Sequence, residues 1–215
     1  MMILSEIYDA LATGELKNLR LSEDNQITAQ GRKVLLSSIN AGLTDLYTRF
    51  LLKKNDIEMS YNKSREQYRI GRTDLIEILS VKLNDVELKV NHADGYHLLD
   101  PATIHIDKEV KRSYLHSADE LNVLNVVYKA NHKKLTEEDI LLDSDVELPD
   151  SYLNALLYFV ASRLFVSAPS QLDGDVNEGL RYSKRYFDEI NMLINQGVDV
   201  DGINEFALFN VRGFV

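Results

Sequence analysis

Five histidines, His92, His97, His105, His116 and His132, are the side chains of this sequence best suited to hold a metal or move a proton near neutral pH. His105-Ile106-Asp107 would set an imidazole and a carboxylate on one face of a strand, the beginning of a zinc-type ligand set. No second pair at metal spacing accompanies it, so the histidines read as surface or loop residues and no metal is expected. Asp143, Asp145 and Glu147 alternate, and Asp173/Asp175 and Asp199/Asp201-Gly202 supply further carboxylate pairs. Each lacks the later ligands and closing glutamate of a calcium loop, so they read as solvated charge. The absence of cysteine excludes thiolate zinc sites, disulfides and cysteine nucleophiles. Gly-x-Ser-x-Gly, phosphate-cradling and dinucleotide glycine patterns are also absent. There is no tryptophan, and no carboxylate pair sits among aromatic residues that would grip a sugar. Neither a catalytic residue nor a cofactor is expected.

Other residues have the chemistry of contact surfaces. Tyr182 and Tyr186 lie one helical turn apart, flanked by Arg181, Lys184 and Arg185, a pattern that fits a subunit or domain boundary. Arg163 is the one charge in an otherwise apolar helix. It either pairs internally with an acid such as Asp188 or Glu189, or meets a neighbouring copy; Arg163, Tyr182, Arg185 and Tyr186 are the candidate subunit-interface residues. At the carboxyl end, Phe206, Leu208, Phe209, Val211, Phe214 and Val215 crowd into ten residues without any helical capping pattern. Chain ends are usually polar, so a segment this apolar needs shelter, either on its own domain or in another chain.

These residues must be carried by regular elements, whose periods are readable. Ile3, Leu4, Ile7, Tyr8 and Leu11 have helical spacing that stops before Gly14. Thr28 is a suitable N-cap for a helix to about Lys54, with Val34, Leu35, Ser38, Ile39, Gly42, Leu43, Leu46, Tyr47, Phe50 and Leu51 on its inner side. At Asn55 the period becomes two, with Ile57, Met59 and Tyr61 on one face. Leu79, Val81 and Leu83, then Asn84-Asp85, then Val86, Leu88 and Val90 spell a hairpin. Further strands are expected at Thr103 to Ile106 and across Leu121 to Ala130, with Leu124, Val126 and Tyr128 inward. Glu137 to Asp150 holds seven acids and no base and reads as a solvated connector or short helix. Pro149-Asp150 opens a helix apolar around most of its circumference, ending near Ala168-Pro169. A last helix from about Val176 to Gln196 is expected to turn Leu180, Ser183, Phe187, Ile190 and Ile194 inward.

The fold class expected is α+β: a helical bundle built from both chain ends (1–54 and 134–197), an inserted antiparallel β sandwich or barrel-like domain (55–133), and an extended carboxyl-terminal arm (198–215). With 215 residues, 45% of them hydrophobic, the chain can bury a main core and a smaller one. The net charge of −10 disfavours DNA or anionic-lipid binding, and residues 134–197 carry most of the acidity with five bases against twelve acids. No secretion signal is read at Met1 to Gly14, and no apolar run reaches the ~20 residues that span a bilayer.

Three stretches resemble the head-to-tail adaptor family of tailed bacteriophages, especially the connector or tail tubular proteins of short-tailed phages. They are Val34 to Lys53 (Val-Leu-Leu-Ser-Ser-Ile-Asn-Ala-Gly-Leu-Thr-Asp-Leu-Tyr-Thr-Arg-Phe-Leu-Leu-Lys), Leu124 to Ala130 (Leu-Asn-Val-Val-Tyr-Lys-Ala), and Glu147 to Leu156 (Glu-Leu-Pro-Asp-Ser-Tyr-Leu-Asn-Ala-Leu). The pair of terminal helices fits the same layout. The resemblance implies a homo-oligomeric ring, usually a dodecamer, docked beneath the portal protein and carrying the tail nozzle. It places the helical domain around a channel through which DNA passes without specific binding, the β domain outward, and the arm in the portal. Carried onto this sequence, the arm is 198–215 and its anchors are Phe206, Phe209 and Phe214. The protein would then be a virion component, made in the bacterial cytoplasm and not an enzyme. The alternatives are another phage neck or tail-completion protein, or a cytosolic enzyme or regulatory module whose arm packs within its own subunit.

Overall fold

Met2–Ile3 (β1) leads into α1 (Leu4–Thr13), whose Leu4, Ile7, Tyr8 and Leu11 recur at steps of three and four and are all buried. The Ile3 N–H donates to Glu6 Oε2 at 3.0 Å, which satisfies one of the amides left free at a helix start. The computed structural model describes residues 2–17, 22–23, 26–92, 95–106, 114–115, 121–167 and 176–197. The arm 198–215 with its six apolar anchors, as well as Asp107, His116, Asp173 and Asp175, lies outside the described residues. The chain divides into two compact units, Met1–Phe50 with His132–Val215, and Leu51–Asn131.

In the first unit the short strands β2 (Ser22–Glu23) and β3 (Gln26–Ile27) pair with each other, and α2 (Ala29–Arg49) comes next. Thr28 caps α2 through its Oγ1, which accepts from the Gly31 N–H at 3.0 Å. The helix ends at Arg49 and not near Lys54: Phe50 is extended (φ −113°, ψ 149°), and Lys54 already pairs with Lys129 in a sheet. Leu35, Ile39, Gly42, Leu43, Leu46 and Tyr47 form its buried face, whereas Val34, expected inward, is 41% exposed.

The second unit contains β4 (Lys54–Ser60), β5 (Gln67–Arg69), β6 (Leu75–Leu83), β7 (Val86–Leu88), β8 (Tyr96–Asp100), β9 (Thr103–Ile106) and β10 (Val123–Ala130). They form two open antiparallel sheets, β4-β10-β6-β7 and β5-β9-β8. Asn84 and Asp85 both have positive φ, 49° and 65°, as a tight two-residue hairpin requires. Leu79, expected to share the inner face with Val81, is instead partly exposed, and Ile78 is buried. The cause is a β-bulge: Val127 faces Ser80 but Tyr128 faces Ile78, so Leu79 has no opposite residue and the inward parity changes there. Val90, also expected in the hairpin, lies beyond β7 and is exposed. Side chains from both sheets, among them Tyr68, Ile78, Val81, Ile104, Ile106, Leu124 and Val126, meet in one apolar cluster.

The first unit resumes at His132, and the acidic stretch that follows forms α3 (Glu137–Leu142) and β11 (Asp145–Val146), which pairs antiparallel with β1. Asp143 sits in the left-handed region and accepts from the Ser5 N–H at 2.7 Å and Oγ at 2.8 Å, fastening both ends of this connection. A 3₁₀ turn, Asp150–Tyr152, leads into α4 (Leu153–Ser167); α5 (Val176–Gln196) packs along it. No described helix is long and apolar enough to cross a membrane.

Asp139 is the buried acid at the start of α3. Its carboxylate accepts from the Thr136 N–H and Oγ1, both at 2.7 Å, and meets Lys133 Nζ at 3.3 Å. The hydrogen bonds from Thr136 dominate in holding its pKa well below the usual carboxylate range. A depressed folded-state pKa contributes stability that is present above the unfolded value and lost as pH falls through the acid range. Asp139→Ala should therefore cost about 1–2 kcal/mol at pH 7, and the gap to the parent should shrink toward pH 3. Urea melts across that pH range check this; a pH-independent gap would count against the role of the charge.

Candidate interaction surface

Helices α4 and α5 carry the four predicted contact residues in two aromatic groups, Arg185 and Tyr182 with Tyr158 and Phe165, and Arg163 and Tyr186 with Phe159. Tyr182 stacks on Phe165 (ring centroids 5.6 Å, 22° between planes) and lies 6.3 Å from Tyr158. Arg185 spans Tyr158 and Tyr182, with its guanidinium carbon 5.8 Å from the first centroid and 5.6 Å from the second. Further along α4, Arg163 stands 5.5 Å over Phe159. A guanidinium over an aromatic face is attracted by the ring quadrupole by about 0.5–1 kcal/mol at an exposed site, and its in-plane donors point away from the ring. Arg163 and Arg185 are both exposed.

Tyr186 behaves differently. It is buried, meets Phe159 edge-on (5.3 Å, 73°), and donates its hydroxyl to Asp45 Oδ2 on α2. Asp45 in turn accepts from Arg49 Nε at 2.6 Å, and Arg49 lies 5.8 Å over Phe187 and 6.0 Å over Tyr186. Burial, then the hydrogen bond to Asp45 and its charge, push the Tyr186 phenol well above its ordinary range. It is a fixed donor linking α5 to α2, so its role lies within the unit. Burial likewise raises Tyr182, whose hydroxyl reaches the Glu15 carbonyl at 3.4 Å.

The expected inner face of α5 requires correction. Gly179, Tyr186, Ile190 and Leu193 are buried, whereas Leu180, Phe187 and Ile194 are half exposed or more. The apolar part of this helix is wider than the surface that α4 and α2 cover, so sequence periodicity centres it about one residue off. Asp45 and Arg49 do not stand out in the sequence; their only local signal is the i,i+4 acid–base spacing.

The described histidines lie in both units, His132 in the helical one and His92, His97 and His105 in the other. His132 is buried in the helical unit, against Tyr47 (5.6 Å), with Thr44 Oγ1 at 3.1 Å and the Lys133 carbonyl at 2.8 Å. His97 and His105 are direct cross-strand neighbours with ring centroids 6.5 Å apart, a proximity that their spacing in the sequence does not announce. Among the described residues no group of three or more His, Cys, Asp or Glu is placed to hold a metal ion. An apolar groove of about 530 Å³ lies between Ile27, Ala29, Arg32, Ile140 and Leu141, and a Lys33–Glu137 ion pair at 2.7 Å closes one edge.

Fold and surface together define an α+β chain of two units, the helical one carrying aromatic rings capped by arginines. Compared with known proteins, the chain matches no family model and no curated protein significantly.

Proposed function

We propose that this chain is a non-enzymatic structural protein, a subunit of the head-to-tail adaptor ring of a tailed bacteriophage. It joins the portal protein to the tail nozzle and leaves a passage for DNA. In this reading the helices form the bundle of the ring, the two sheets of the second unit form a sandwich, and residues 198–215 are the arm that enters the portal. The observation that supports it is the asymmetry of α5. One flank presents Arg185 over Tyr182 and Tyr158, and another presents Leu180, Phe187 and Ile194 to solvent. Two unlike exposed surfaces on one subunit are what a head-to-tail contact needs, and such contacts generate rings when the rotation closes. The net charge of −10 suits a passage that must not hold DNA phosphates.

The test uses purified portal particles. The full chain should co-sediment with them and form a ring visible by electron microscopy. A chain lacking residues 203–215 should keep its circular dichroism and cooperative melt but no longer co-sediment. A truncated chain that still joins the portal, or a full chain that never does, removes the reading.

A further inference from the structure

Strands β8 and β9 set His97 and His105 directly opposite each other, with ring centroids 6.5 Å apart and 37° between planes. His105 stands between Ile104 and Ile106, and His97 follows Tyr96; these three neighbours are buried in the apolar cluster of the second unit. Alternation along a strand therefore turns both histidines to the opposite, outer face of the sheet, where each is half-buried. The next residue across from His105, on β5, is the exposed Gln67.

One of the two rings is already oriented. Asn91 Oδ1 lies 3.4 Å from His97 Nδ1, which fits a neutral ring with its proton on Nδ1 and its lone pair on Nε2. Asn91 is itself held in place, since its backbone is left-handed (φ 55°) and its N–H donates to the Tyr96 carbonyl at 2.7 Å. A hydrogen bond at the rear nitrogen is how metal-binding imidazoles are ordinarily aimed. Two imidazoles that share a tetrahedral ion, each nitrogen ~2.0–2.1 Å from it, have ring centres ~5 Å apart. The observed separation of 6.5 Å is about 1.5 Å wider than that. Side-chain torsions can close this gap without backbone movement, because the Cβ atoms of directly opposed strand residues lie about 4.5–5.5 Å apart.

We propose that His97 and His105 form a two-histidine site for a late first-row transition-metal ion, Cu²⁺, Ni²⁺ or Zn²⁺. The ion clips β8, which lies at the edge of its sheet, to β9. Imidazole nitrogen suits these ions and not Mg²⁺ or Ca²⁺, and the general affinity order of divalent ions puts Cu²⁺ tightest. Among the described residues no third His, Cys, Asp or Glu completes a ligand set with the pair, so the remaining positions fall to water. Binding is accordingly reversible and weaker than at a closed four-ligand site. The inference is independent of the adaptor reading, since it involves neither portal nor ring.

The test titrates the full chain at pH 7.5 with Cu²⁺ while the ring signals of its five histidines are followed by NMR. Substoichiometric Cu²⁺, which is paramagnetic, should broaden the signals of His97 and His105 first, and a chelator should restore them. His97→Asn and His105→Asn should each weaken Cu²⁺ binding at least tenfold in calorimetry, and Mg²⁺ should give no signal with any of the three proteins. Saturating Ni²⁺ should raise the urea midpoint of the parent and of neither variant, because an ion held only by the folded pair stabilises the folded state. Other histidines broadening first, binding of undiminished strength in either variant, or no saturable binding below millimolar Cu²⁺ would each overturn the proposal. Should a variant fail to fold, the titration of the unaltered chain decides alone. Portal co-sedimentation is read without added metal, so either result stands whatever the other shows.

Discussion

Gly42→Leu should abolish the cooperative melt of the helical unit or lower its stability by about 3 kcal/mol or more. Gly42 lies on the buried face of α2, where α4 packs closely. A Cβ there would lie 2.7 Å from Leu156 Cδ1 and 3.0 Å from Phe159 Cδ1. Leu156 is fully buried, and Phe159 is held edge-on by Tyr186, which is itself bonded to Asp45. Moving either ring or methyl therefore disturbs the contacts joining α2, α4 and α5. Alanine has a smaller effect, because the atoms it meets are side-chain ends, and its higher helix propensity returns up to about 1 kcal/mol. Leucine adds three further carbons at the same place. Gly71→Ala, where nothing lies within 4 Å, is the neutral control. Urea melts followed by helical circular dichroism measure all three; a Gly42→Leu midpoint equal to that of the parent would show that the α2–α4 packing is wrong.

The parts of this fold that are legible in the sequence depend on local chemistry. Thr28 can be recognised as a cap because its hydroxyl lies three residues from an amide that needs a partner, and it accepts from Gly31. Asn84-Asp85 can be recognised as a turn because few other pairs tolerate two positive φ values. Leu124, Val126 and Tyr128 are inward as their alternation predicts, since β10 lies between β4 and β6. The misreadings arise where a distant partner decides. The bulge opposite Val127 reverses the parity at Leu79, and nothing in the sequence of β6 announces it. Lys53 and Lys54 suit a helix terminus, yet pairing with β10 claims Lys54 as a strand residue. On α5 two adjacent apolar rows compete for the interior, and periodicity alone cannot say which one α4 and α2 cover. The aromatic groups of α4 and α5 show the same division. Sequence supplies Arg163, Tyr182, Arg185 and Tyr186, but the Asp45 that anchors Tyr186, itself paired with Arg49, lies 141 residues away from it along the chain.

That division decides which residues can be changed without damage to the fold. Tyr186 is internal, whereas Arg163 and Arg185 are exposed and cover ring faces from the solvent side. Those rings keep their own partners, Phe159 against Tyr186 and Tyr182 against Phe165, when the arginines are replaced. Arg163→Glu combined with Arg185→Glu should therefore leave a folded chain. The lost cation–aromatic attraction, about 0.5–1 kcal/mol per arginine, by itself shifts the melting temperature by only a few degrees. On the adaptor reading the same change places two carboxylates where each subunit meets the next, and the penalty recurs at every contact around a closed ring. Loss of a charged partner at a desolvated contact costs about 2–5 kcal/mol, so occupancy of the portal should fall by roughly 100-fold. Lys63→Glu, an exposed reversal in the other unit, should leave occupancy unchanged. Portal particles saturated equally by the double variant and the parent would show that the α4–α5 aromatic surface faces no neighbour, and the ring contact would have to be sought elsewhere on the chain.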